Sequence, residues 1–598
     1  MLAFDPYRFW GFAMSRHLLL ATAALLAMAA PAWAQNAGED RLTALLAEHE
    51  AVERRFDPVT SSENGDQAAL SRLGDSSPAA VEARTQALRD LRARLGEIDA
   101  AALPDDADRL NLALLIRSID DDLESIGFDR ARLGGGGGGF DGLGRNTPLR
   151  TRADAEAWLT RMSQMAAAQR QGIENSRRGI ASGWTQPRQI IERSITVARA
   201  TAARPVEQSP LLLPFATLPQ SVPEAEREAY RARALEIIRN EIVPAQQEQL
   251  AFLETELLPA ARAGLGVRTL PGGEDYYRYL VRSNTTTDMT PEQVHELGLS
   301  EVARIRAEMD GVIAETGFEG DFQAFLTFLR TDPQFYATSP EELVRIVAEI
   351  SRRADAALPR IFGTLPRLTY GIEETPAETA PTSATAGYTP GSAALGKAGT
   401  YVLNTYRLDQ RPLYEMPALT LHEATPGHHL QVALMQEQPE APYFRRTSWF
   451  TSYVEGWGLY AETLGYDMDM YTTPYERFGR LSYEMWRACR LVVDTGIHWL
   501  GWTEAQAREC FEQNSALSPQ NITAEVNRYI GNPGQALAYK IGELTFRRMR
   551  AEAEAALGER FDLRAFHDHL LSDGALPMDM VETRMRAWIE VQRTASAT

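Results

Sequence analysis

The sequence predicts a large, mainly α-helical protein that carries one small β-sheet. Most of the chain has helical periodicity, and long amphipathic segments rich in Ala, Leu, Glu and Arg span residues 79–98, 227–262 and 339–361. Residues 364–416 differ, because they are rich in Pro, Thr and Gly and contain the β-prone segment GTYVLNTYRL at 399–408. We therefore expect a short strand within an otherwise helical chain.

Local motifs refine this expectation. Thr290 and Gln293 form a capping box around Pro291, a pattern that predicts a helix beginning at that proline. The six glycines from 134 to 139 predict a flexible surface loop, and no Lys-Ser/Thr pair follows them as in a phosphate-binding loop. The strand at 399–408 directly precedes a histidine-rich segment, so it is interpreted either as a peptide-binding edge or as a structural hairpin.

The N-terminal segment has the pattern of a secretory signal peptide. Met14 begins the stretch MSRHLLLATAALLAMAAPAWA, which has a basic start, an apolar run and an A-x-A end at Ala32 and Ala34. We expect translation to begin at Met14 and residues 1–34 to be removed. No later apolar run approaches the roughly 18 residues of a membrane helix, so we expect an exported protein, periplasmic or secreted, without membrane insertion. No Cys follows the expected cleavage site, which argues against a lipid anchor.

Charge and cysteine content restrict the possible partners. The formal net charge of −20 at pH 7 argues against nucleic acid or an anionic membrane surface as a partner. The two cysteines, Cys489 and Cys510, either pair in an oxidising compartment or remain two buried thiols. The oligomeric state is left open by the sequence.

The strongest chemical signal is the segment LHEATPGHHLQ at 421–431, which holds three of the nine histidines. It begins like the zinc-peptidase motif H-E-x-x-H, but the residue four after His422 is Pro426. In an unbroken helix, His428 would lie on another face and His429 two turns away, so neither could share an ion with His422. The motif therefore functions only if the helix is interrupted.

Pro426 and Gly427 provide such an interruption. Proline removes a backbone donor and disfavours helix at Thr425, while glycine adopts dihedral angles that other residues avoid. A bulge at this step absorbs the two extra residues and returns one of the later histidines to the position of the second ligand. We favour His428, which directly follows the glycine, and keep His429 as the alternative.

A catalytic zinc ion uses three protein ligands and an open position, so a third ligand should come from a second helix. The segment SWFTSYVEGWGLYAE at 448–462 is aromatic and apolar apart from Glu455 and Glu462, which share one helical face. We expect Glu455 to be the third ligand and Glu462 to orient a ligating histidine. Two glutamates on a solvated face are the alternative interpretation.

Glu423, which follows His422, is the expected general base of a Zn2+ site with ligands His422, His428 and Glu455. In this motif the glutamate accepts a proton from the activated water and passes it to the leaving nitrogen.

Four segments carry a combined pattern that resembles the domain of unknown function 885 family: HEATPGHH at 422–429, YVEGWGLYAE at 453–462, RLVVDTGIHWLGW at 490–502 and NPGQALAYKIG at 532–542. That family covers most of a chain of this length, and its known structures are mainly helical and resemble gluzincin-type zinc metallopeptidases, whose third ligand is a glutamate. The resemblance implies a metallopeptidase-like site at His422, Glu423, His428 and Glu455, and it implies no substrate.

On this basis we expect a large helical metallopeptidase-like fold in which a small β-sheet lies beside the active-site helix. A deep cleft is expected between two helical lobes. Residues 35–598 would form one domain, with an N-terminal lobe at about 38–362 and an active-site lobe at about 363–598.

Further groups would complete such a site. Tyr539 is the first candidate for a donor to the oxyanion of the tetrahedral intermediate, followed by Tyr529 and His498. Asp494 lies four residues before His498 and could orient its ring. His498 could equally be a core histidine.

Two cations are candidates for substrate binding, and one further pair of histidines for metal binding. Lys540 and Arg528 could bind a substrate carboxylate, or they could form ordinary ion pairs. His567 and His569 are two residues apart and face different sides of a helix, so we do not expect them to bind a metal together.

The predicted function is that of an exported zinc-dependent peptidase that hydrolyses short peptides by metal-activated water with a glutamate base. One alternative is a zinc hydrolase of a non-peptide amide or ester. The other is a metal-holding binding protein without catalysis, against which Glu423 argues because a purely structural site needs no base.

Overall fold

Helices form most of the protein in the computed structural model, which describes residues 32–594 apart from 138, 378, 394–395 and 439–440. In chain order the α-helices are α1 (Ala32–Phe56), α2 (Pro58–Glu63), α3 (Pro78–Leu95), α4 (Asp106–Gly127), α5 (Asp141–Asn146), α6 (Arg152–Ser182), α7 (Arg188–Ala202), α8 (Glu224–Ile237), α9 (Val243–Phe252), α10 (Gly273–Thr285), α11 (Pro291–Thr316), α12 (Phe322–Thr331), α13 (Pro340–Ala357), α14 (Met416–Glu423), α15 (His428–Gln436), α16 (Tyr443–Thr447), α17 (Thr451–Leu464), α18 (Pro474–Thr495), α19 (Glu504–Asn514), α20 (Pro519–Gly531), α21 (Ala538–Leu557), α22 (Leu563–Leu571) and α23 (Met578–Thr594). The predicted mainly helical class is confirmed.

The helices predicted from periodicity are present. Segment 79–98 corresponds to α3 and segment 339–361 to α13, while 227–262 corresponds to α8 and α9 with π-helical turns at Ile238–Ile242 and Leu253–Leu257. The capping box before α11 is also present. The Gln293 amide donates to Thr290 Oγ1 at 3.3 Å, and the Thr290 amide donates to Gln293 Oε1 at 2.9 Å.

The small sheet has three strands, β1 (Tyr370–Glu374), β2 (Ala386–Thr389) and β3 (Gly399–Leu403), in the order β1-β3-β2. Strand β3 is parallel to β1 and antiparallel to β2. The predicted strand at 399–408 is therefore shorter than expected and lies in the centre of the sheet. Because both sides of β3 are paired, it cannot be the peptide-binding edge considered from the sequence, and the edges belong to β1 and β2.

The predicted position of the sheet beside the histidine helix is confirmed. Tyr388 of β2 and His429 of α15 form a hydrogen bond of 3.1 Å between the phenol oxygen and Nδ1. The sheet therefore packs directly against the second half of the histidine segment.

The glycines predicted to form a flexible surface loop are exposed at Gly134, Gly137 and Gly139, but Gly136 and Gly137 pack against α6. Gly136 is buried, and its amide donates to Ser176 Oγ at 3.0 Å while Gln169 Nε2 donates to its carbonyl at 2.9 Å. A Cβ on Gly172 would lie 2.5 Å from the backbone of the run. Glycine is required here by close approach of two backbones, which composition alone does not distinguish from flexibility.

The largest hydrophobic core draws residues from both sides of the expected lobe boundary near residue 362, from Leu42 in α1 to Ile589 in α23. Helices α18 and α19 are joined by a disulfide between Cys489 and Cys510, whose Cα atoms are 5.9 Å apart.

Within residues 32–594 no helix has the length and hydropathy that crossing a bilayer requires. All but three residues of the predicted signal peptide lie outside the described residues.

Candidate metal centre

The histidine segment consists of two short helices separated by a turn. Helix α14 ends at Glu423, residues 424–427 form the turn, and α15 begins at His428. A Cβ on Gly427 would lie 1.9 Å from the carbonyl oxygen of His422, so only glycine allows the turn to fold back onto the end of α14. The interruption predicted at Pro426-Gly427 is therefore confirmed.

The interruption brings two imidazoles to one carboxylate. His428 Nε2 is 3.4 Å and His422 Nε2 is 3.7 Å from Glu455 Oε2, and the two ring centroids are 4.7 Å apart. The three potential ligand atoms all lie within 4.8 Å of one another. Glu455 reaches this position from α17, whose Gly458 packs against the His422 ring; a Cβ there would lie 2.7 Å from it.

These separations fit a shared cation better than direct hydrogen bonds. An N–H···O bond is normally about 2.7–3.2 Å long, shorter than either His–Glu455 distance. Ligands about 2.0–2.1 Å from a tetrahedral zinc ion are themselves about 3.4 Å apart, which is close to the two distances observed. Two imidazoles and one carboxylate are also the donor set of a catalytic zinc site. The residues present therefore fit a zinc ion.

Glu462 supports His422 from the side opposite Glu455. Its Oε1 accepts a hydrogen bond of 2.9 Å from His422 Nδ1, and Arg487 Nη2 lies 3.4 Å from the same oxygen. Since Nδ1 donates in this bond, Nε2 is the nitrogen that faces Glu455, where it can hold either a proton or a metal cation. The structure thus gives Glu462 the orienting contact that the sequence suggested.

The charges around His422 also favour a bound cation. Burial lowers the pKa of His422, but Glu455, Glu462 and Glu423 outweigh it and raise that pKa to about 9. Burial would raise the pKa of Glu455, yet His422 and His428 hold it well below its ordinary value. Glu423, the last residue of α14, is itself 9% exposed. The local charge therefore favours a cation between the imidazoles.

The structure also distinguishes His428 from His429. His429 points to the sheet, where Nδ1 contacts the Tyr388 hydroxyl at 3.1 Å and Nε2 donates to the Leu368 carbonyl at 3.0 Å. His428 instead faces Glu455, and its Nδ1 is buried without a hydrogen-bond partner among the described residues. Of the two alternatives left open by the sequence, His428 is the residue placed at the cluster.

Tyr539 lies at the edge of the cluster. Its hydroxyl donates to Glu455 Oε1 at 2.9 Å, which leaves Oε2 to face the imidazoles. Burial and the charge of Glu455 raise the pKa of Tyr539 to about 12, so the phenol remains a proton donor at neutral pH. Tyr539 is only partly buried and can be reached from solvent.

His498 does not belong to this site, which corrects the prediction of a catalytic role. Both ring nitrogens are engaged by main-chain groups: Nδ1 accepts from the Val267 amide at 3.1 Å, and Nε2 donates to the Tyr529 carbonyl at 3.0 Å. Asp494 does not orient the ring either, because it accepts from the Tyr277 hydroxyl and the Gly534 amide. Burial lowers the pKa of His498 to about 3, so the ring is a neutral core group.

The other candidates are engaged elsewhere. Tyr529 donates to Glu525 and accepts from Arg490 Nε at 3.0 Å, so its hydroxyl is not free for a substrate. Lys540 is completely buried against three carboxylates, of Glu301, Glu484 and Glu543. The ion-pair interpretation therefore applies to Lys540.

Sequence reasoning missed Arg487 and Arg490, two buried cations on α18. Arg487 approaches Glu462, and Arg490 lies over the Tyr539 ring with its Cζ 4.2 Å from the ring centroid. The available signal was two arginines, one helical turn apart, in the otherwise aromatic and apolar segment MWRACRLVV at 485–493.

Comparisons with known proteins place the fold without giving an activity. A crystal structure from Colwellia psychrerythraea, described as a "putative lipoprotein", is 26% identical and has a TM-score of 0.86, covering 92% of this chain and 99% of its own. A "putative lipoprotein of unknown function" from Shewanella oneidensis is 18% identical with a TM-score of 0.67, covering 93% and 99%. No curated protein matches the chain. The model of the family described as "Bacterial protein of unknown function (DUF885)" matches residues 58–585, so the chain belongs to the DUF885 family.

Proposed function

We propose that the protein is a zinc-dependent peptidase that hydrolyses short peptides. The observation that carries the proposal is the convergence of His422, His428 and Glu455, whose ligand atoms lie within 4.8 Å of one another. Glu462 behind His422 adds the orienting carboxylate that metal-binding histidines commonly have.

The residues around the cluster supply the remaining chemistry. A zinc ion held there would polarise the scissile carbonyl and lower the pKa of the attacking water toward 7. Glu423 accepts the proton of that water and delivers it to the leaving nitrogen. The Tyr539 phenol, protonated at neutral pH, would turn its hydroxyl from Glu455 Oε1 to the developing oxyanion and donate its hydrogen bond there.

Access to the cluster favours catalysis over a purely structural role. The side chains of Glu455 and His428 are 16% and 11% exposed, so solvent reaches the ligands. A structural zinc site is closed by four protein ligands, whereas this cluster offers three and leaves one position open.

We propose that the edge strand β2 holds an extended substrate. Strand β2 is an edge of the sheet, and its Tyr388 contacts His429, the residue next to His428. A peptide can add to such an edge through its main chain, which a simple ester cannot do. This arrangement favours a peptide over the non-peptide amide or ester.

We also infer that the protein is exported. The segment from Met14 to Ala34 has the signal-peptide pattern, and the Cys489–Cys510 disulfide suits an oxidising compartment. The similar proteins from Colwellia and Shewanella are each described as a "putative lipoprotein", which is consistent with export. Whether the site of action is periplasmic or extracellular is tested by fractionating cells.

The central experiment uses the purified mature protein. Its zinc content is measured by elemental analysis, and a mixed peptide library is digested and analysed by mass spectrometry. We expect about one zinc per chain and cleavage of short peptides. Glu423→Gln should retain the zinc and lose the cleavage. Zinc binding with no turnover of peptides, amides or esters, unaffected by Glu423→Gln, would instead identify a binding protein.

A further inference from the structure

Arg490 is a buried cation whose hydrogen bonds are incomplete. Its residue is 4% exposed, its Nε donates to the Tyr529 hydroxyl at 3.0 Å, and its Nη2 donates to Glu525 Oε2 at 3.2 Å. Its Nη1 is buried and has no hydrogen-bond partner within the described part of the chain. A buried N–H without a partner has lost its water and gained nothing in return, so it calls for an explanation.

The unpaired Nη1 of Arg490 lies away from Tyr529 and Glu525, the two hydrogen-bond partners of this side chain. Nε and Nη2 share one edge of the planar guanidinium, and that edge faces Tyr529 and Glu525. Nη1 therefore lies on the opposite side. The guanidinium carbon is 4.2 Å from the Tyr539 ring centroid, and the Tyr539 hydroxyl bonds to Glu455. One aromatic ring thus separates the incomplete cation from the candidate metal centre.

Other buried arginines with unpaired nitrogens lack this setting. Arg161, for example, is buried against the backbone of Pro58 and Ala69, far along the chain from the site. Arg487 is closer, but its Nη2 approaches Glu462 behind His422. Arg490 is distinguished by its position beside Tyr539, which is partly exposed.

A second guanidinium extends the same region toward solvent. The Arg528 side chain is 33% exposed, pairs with Glu525 at 3.0 Å and donates to Gln535 Oε1 at 2.6 Å. Burial would raise the pKa of Glu525, but Arg490 and Arg528 lower it to about 2, so it stays ionised. Two guanidinium charges against one carboxylate leave an excess of positive charge, within a protein whose net charge is −20.

We propose that Arg490 and Arg528 bind a carboxylate of the substrate, so that the enzyme prefers peptides with a free C-terminal carboxylate close to the scissile bond. This inference rests on the proposed peptidase function and specifies its substrate class. Guanidinium groups bind carboxylates through N–H donors, and Nη1 of Arg490 is such a donor that no described residue uses. Arg528, whose nitrogens bond to Glu525 and Gln535, adds positive charge beside it. An acidic side chain offers the same chemistry, and the two sources are separated by experiment.

The test measures binding rather than turnover. Zinc-loaded Glu423→Gln protein is titrated calorimetrically with three related peptides: the free acid, the C-terminal amide of the same sequence, and that amide with its last residue replaced by Glu. We expect the free acid to bind at least about 10-fold more tightly than the plain amide, as the loss of a charge-assisted contact predicts. Amide binding restored by the Glu would assign the pocket to an acidic side chain. Equal binding of all three peptides would overturn the inference.

Two variants and one control test which arginines create the acid-over-amide preference. Arg528→Gln, at a partly exposed position, should reduce the acid-over-amide preference, whereas Arg586→Gln, which removes an exposed ion pair with Glu552, should leave it unchanged. Arg490→Lys keeps the charge and should reduce the preference further if the protein remains folded. An undiminished preference in Arg528→Gln and Arg490→Lys would contradict the assignment. A preference for acids in a protein that hydrolyses nothing would refute the peptidase and retain the carboxylate site.

Discussion

Two pairs of buried histidines show opposite behaviour in this protein. His498 and His567 each engage both ring nitrogens: His498 through two main-chain groups, and His567 through the Ile361 carbonyl at 2.9 Å and the Tyr460 hydroxyl at 3.0 Å. His422 and His428 instead face the carboxylate of Glu455.

The groups around each ring, rather than its burial, determine the difference in pKa between these histidines. Burial lowers the pKa of His498 to about 3 and that of His567 to about 4. Burial acts on His422 as well, but the surrounding carboxylates raise its pKa to about 9. An imidazole with both nitrogens satisfied by neutral groups is a neutral part of the core, whereas surrounding carboxylates stabilise an imidazole that carries a proton or binds a cation.

The largest effect should come from removing a ligand. We expect His422→Ala to reduce bound zinc from about one per chain to near zero and to abolish hydrolysis, because two remaining ligands hold the ion weakly. Elemental analysis of the purified protein gives the zinc content. The matched control is His429→Ala, which removes a neighbouring histidine bonded to Tyr388 and Leu368. Zinc loss in both variants would break the distinction drawn between His428 and His429.

Removing the Tyr539 hydroxyl should have the next largest effect. We expect Tyr539→Phe to lower kcat by about 10²–10³-fold while zinc is retained, as for loss of one oxyanion donor. Steady-state kinetics on a peptide found in the library screen provide the measurement. Tyr460→Phe is the comparison, since that hydroxyl contacts the core histidine His567, and it should leave kcat within about 2-fold. Equal kcat values for Tyr539→Phe and the wild type would exclude the donor role.

Changing Glu462, the carboxylate that bonds to His422 Nδ1, should have a smaller effect on the zinc site. We expect Glu462→Gln to weaken zinc binding by about 10–100-fold, because the amide no longer fixes the imidazole as a carboxylate does. Competition with a chelator of known affinity measures the change. Asp494→Asn alters another fully buried carboxylate, one that accepts from Tyr277 and Gly534, and should not change zinc affinity. If Glu462→Gln and Asp494→Asn behave alike, the Glu462–His422 contact has no special role.

The smallest effect on the site should come from His498→Ala. We expect the free energy of unfolding at pH 7.5 to fall by about 1–3 kcal/mol for each backbone group left unpaired, while zinc content is unchanged. Denaturant titration provides the free energy. A loss of zinc without a loss of stability would assign His498 to the site after all.

The pH dependence of that stability difference has a definite sign. Native His498 resists protonation down to a pKa of about 3, whereas the unfolded residue takes up a proton near the ordinary histidine pKa of 6.5. Stability due to this residue is therefore complete above pH 6.5 and is lost as the pH falls toward 3. The difference between wild type and His498→Ala should shrink on acidification, and a constant difference would show that His498 does not titrate as described.

Much of the candidate site followed from local chemistry. The spacing of His422 and His428 around Pro426-Gly427 predicted an interrupted helix, and Glu455 stood out because a carboxylate in an aromatic helix requires a partner. The sequence favoured His428 but left His429 open as the alternative, since the direction of each ring depends on how the turn folds back onto α14.

Other predictions failed where partners distant in sequence were decisive. Spacing suggested that Asp494 orients His498, but Val267 and Tyr529 occupy both nitrogens of that ring. Residues 399–408 have strand composition, yet composition does not show that β3 lies between two other strands. The glycine run was expected to be a flexible surface loop, and composition did not show that Gly136 and Gly137 pack closely against α6.

The sequence by itself determined the helical class, the break in the histidine helix and the chemical types of the candidate ligands. Periodicity, Pro-Gly chemistry and the cost of burying a charge are local properties, so they can be evaluated residue by residue. Only the tertiary structure decided which histidine faces Glu455, which tyrosine reaches it and which arginine is left with an unpaired nitrogen. Those outcomes depend on hydrogen bonds between residues far apart in the chain, and local sequence does not specify them.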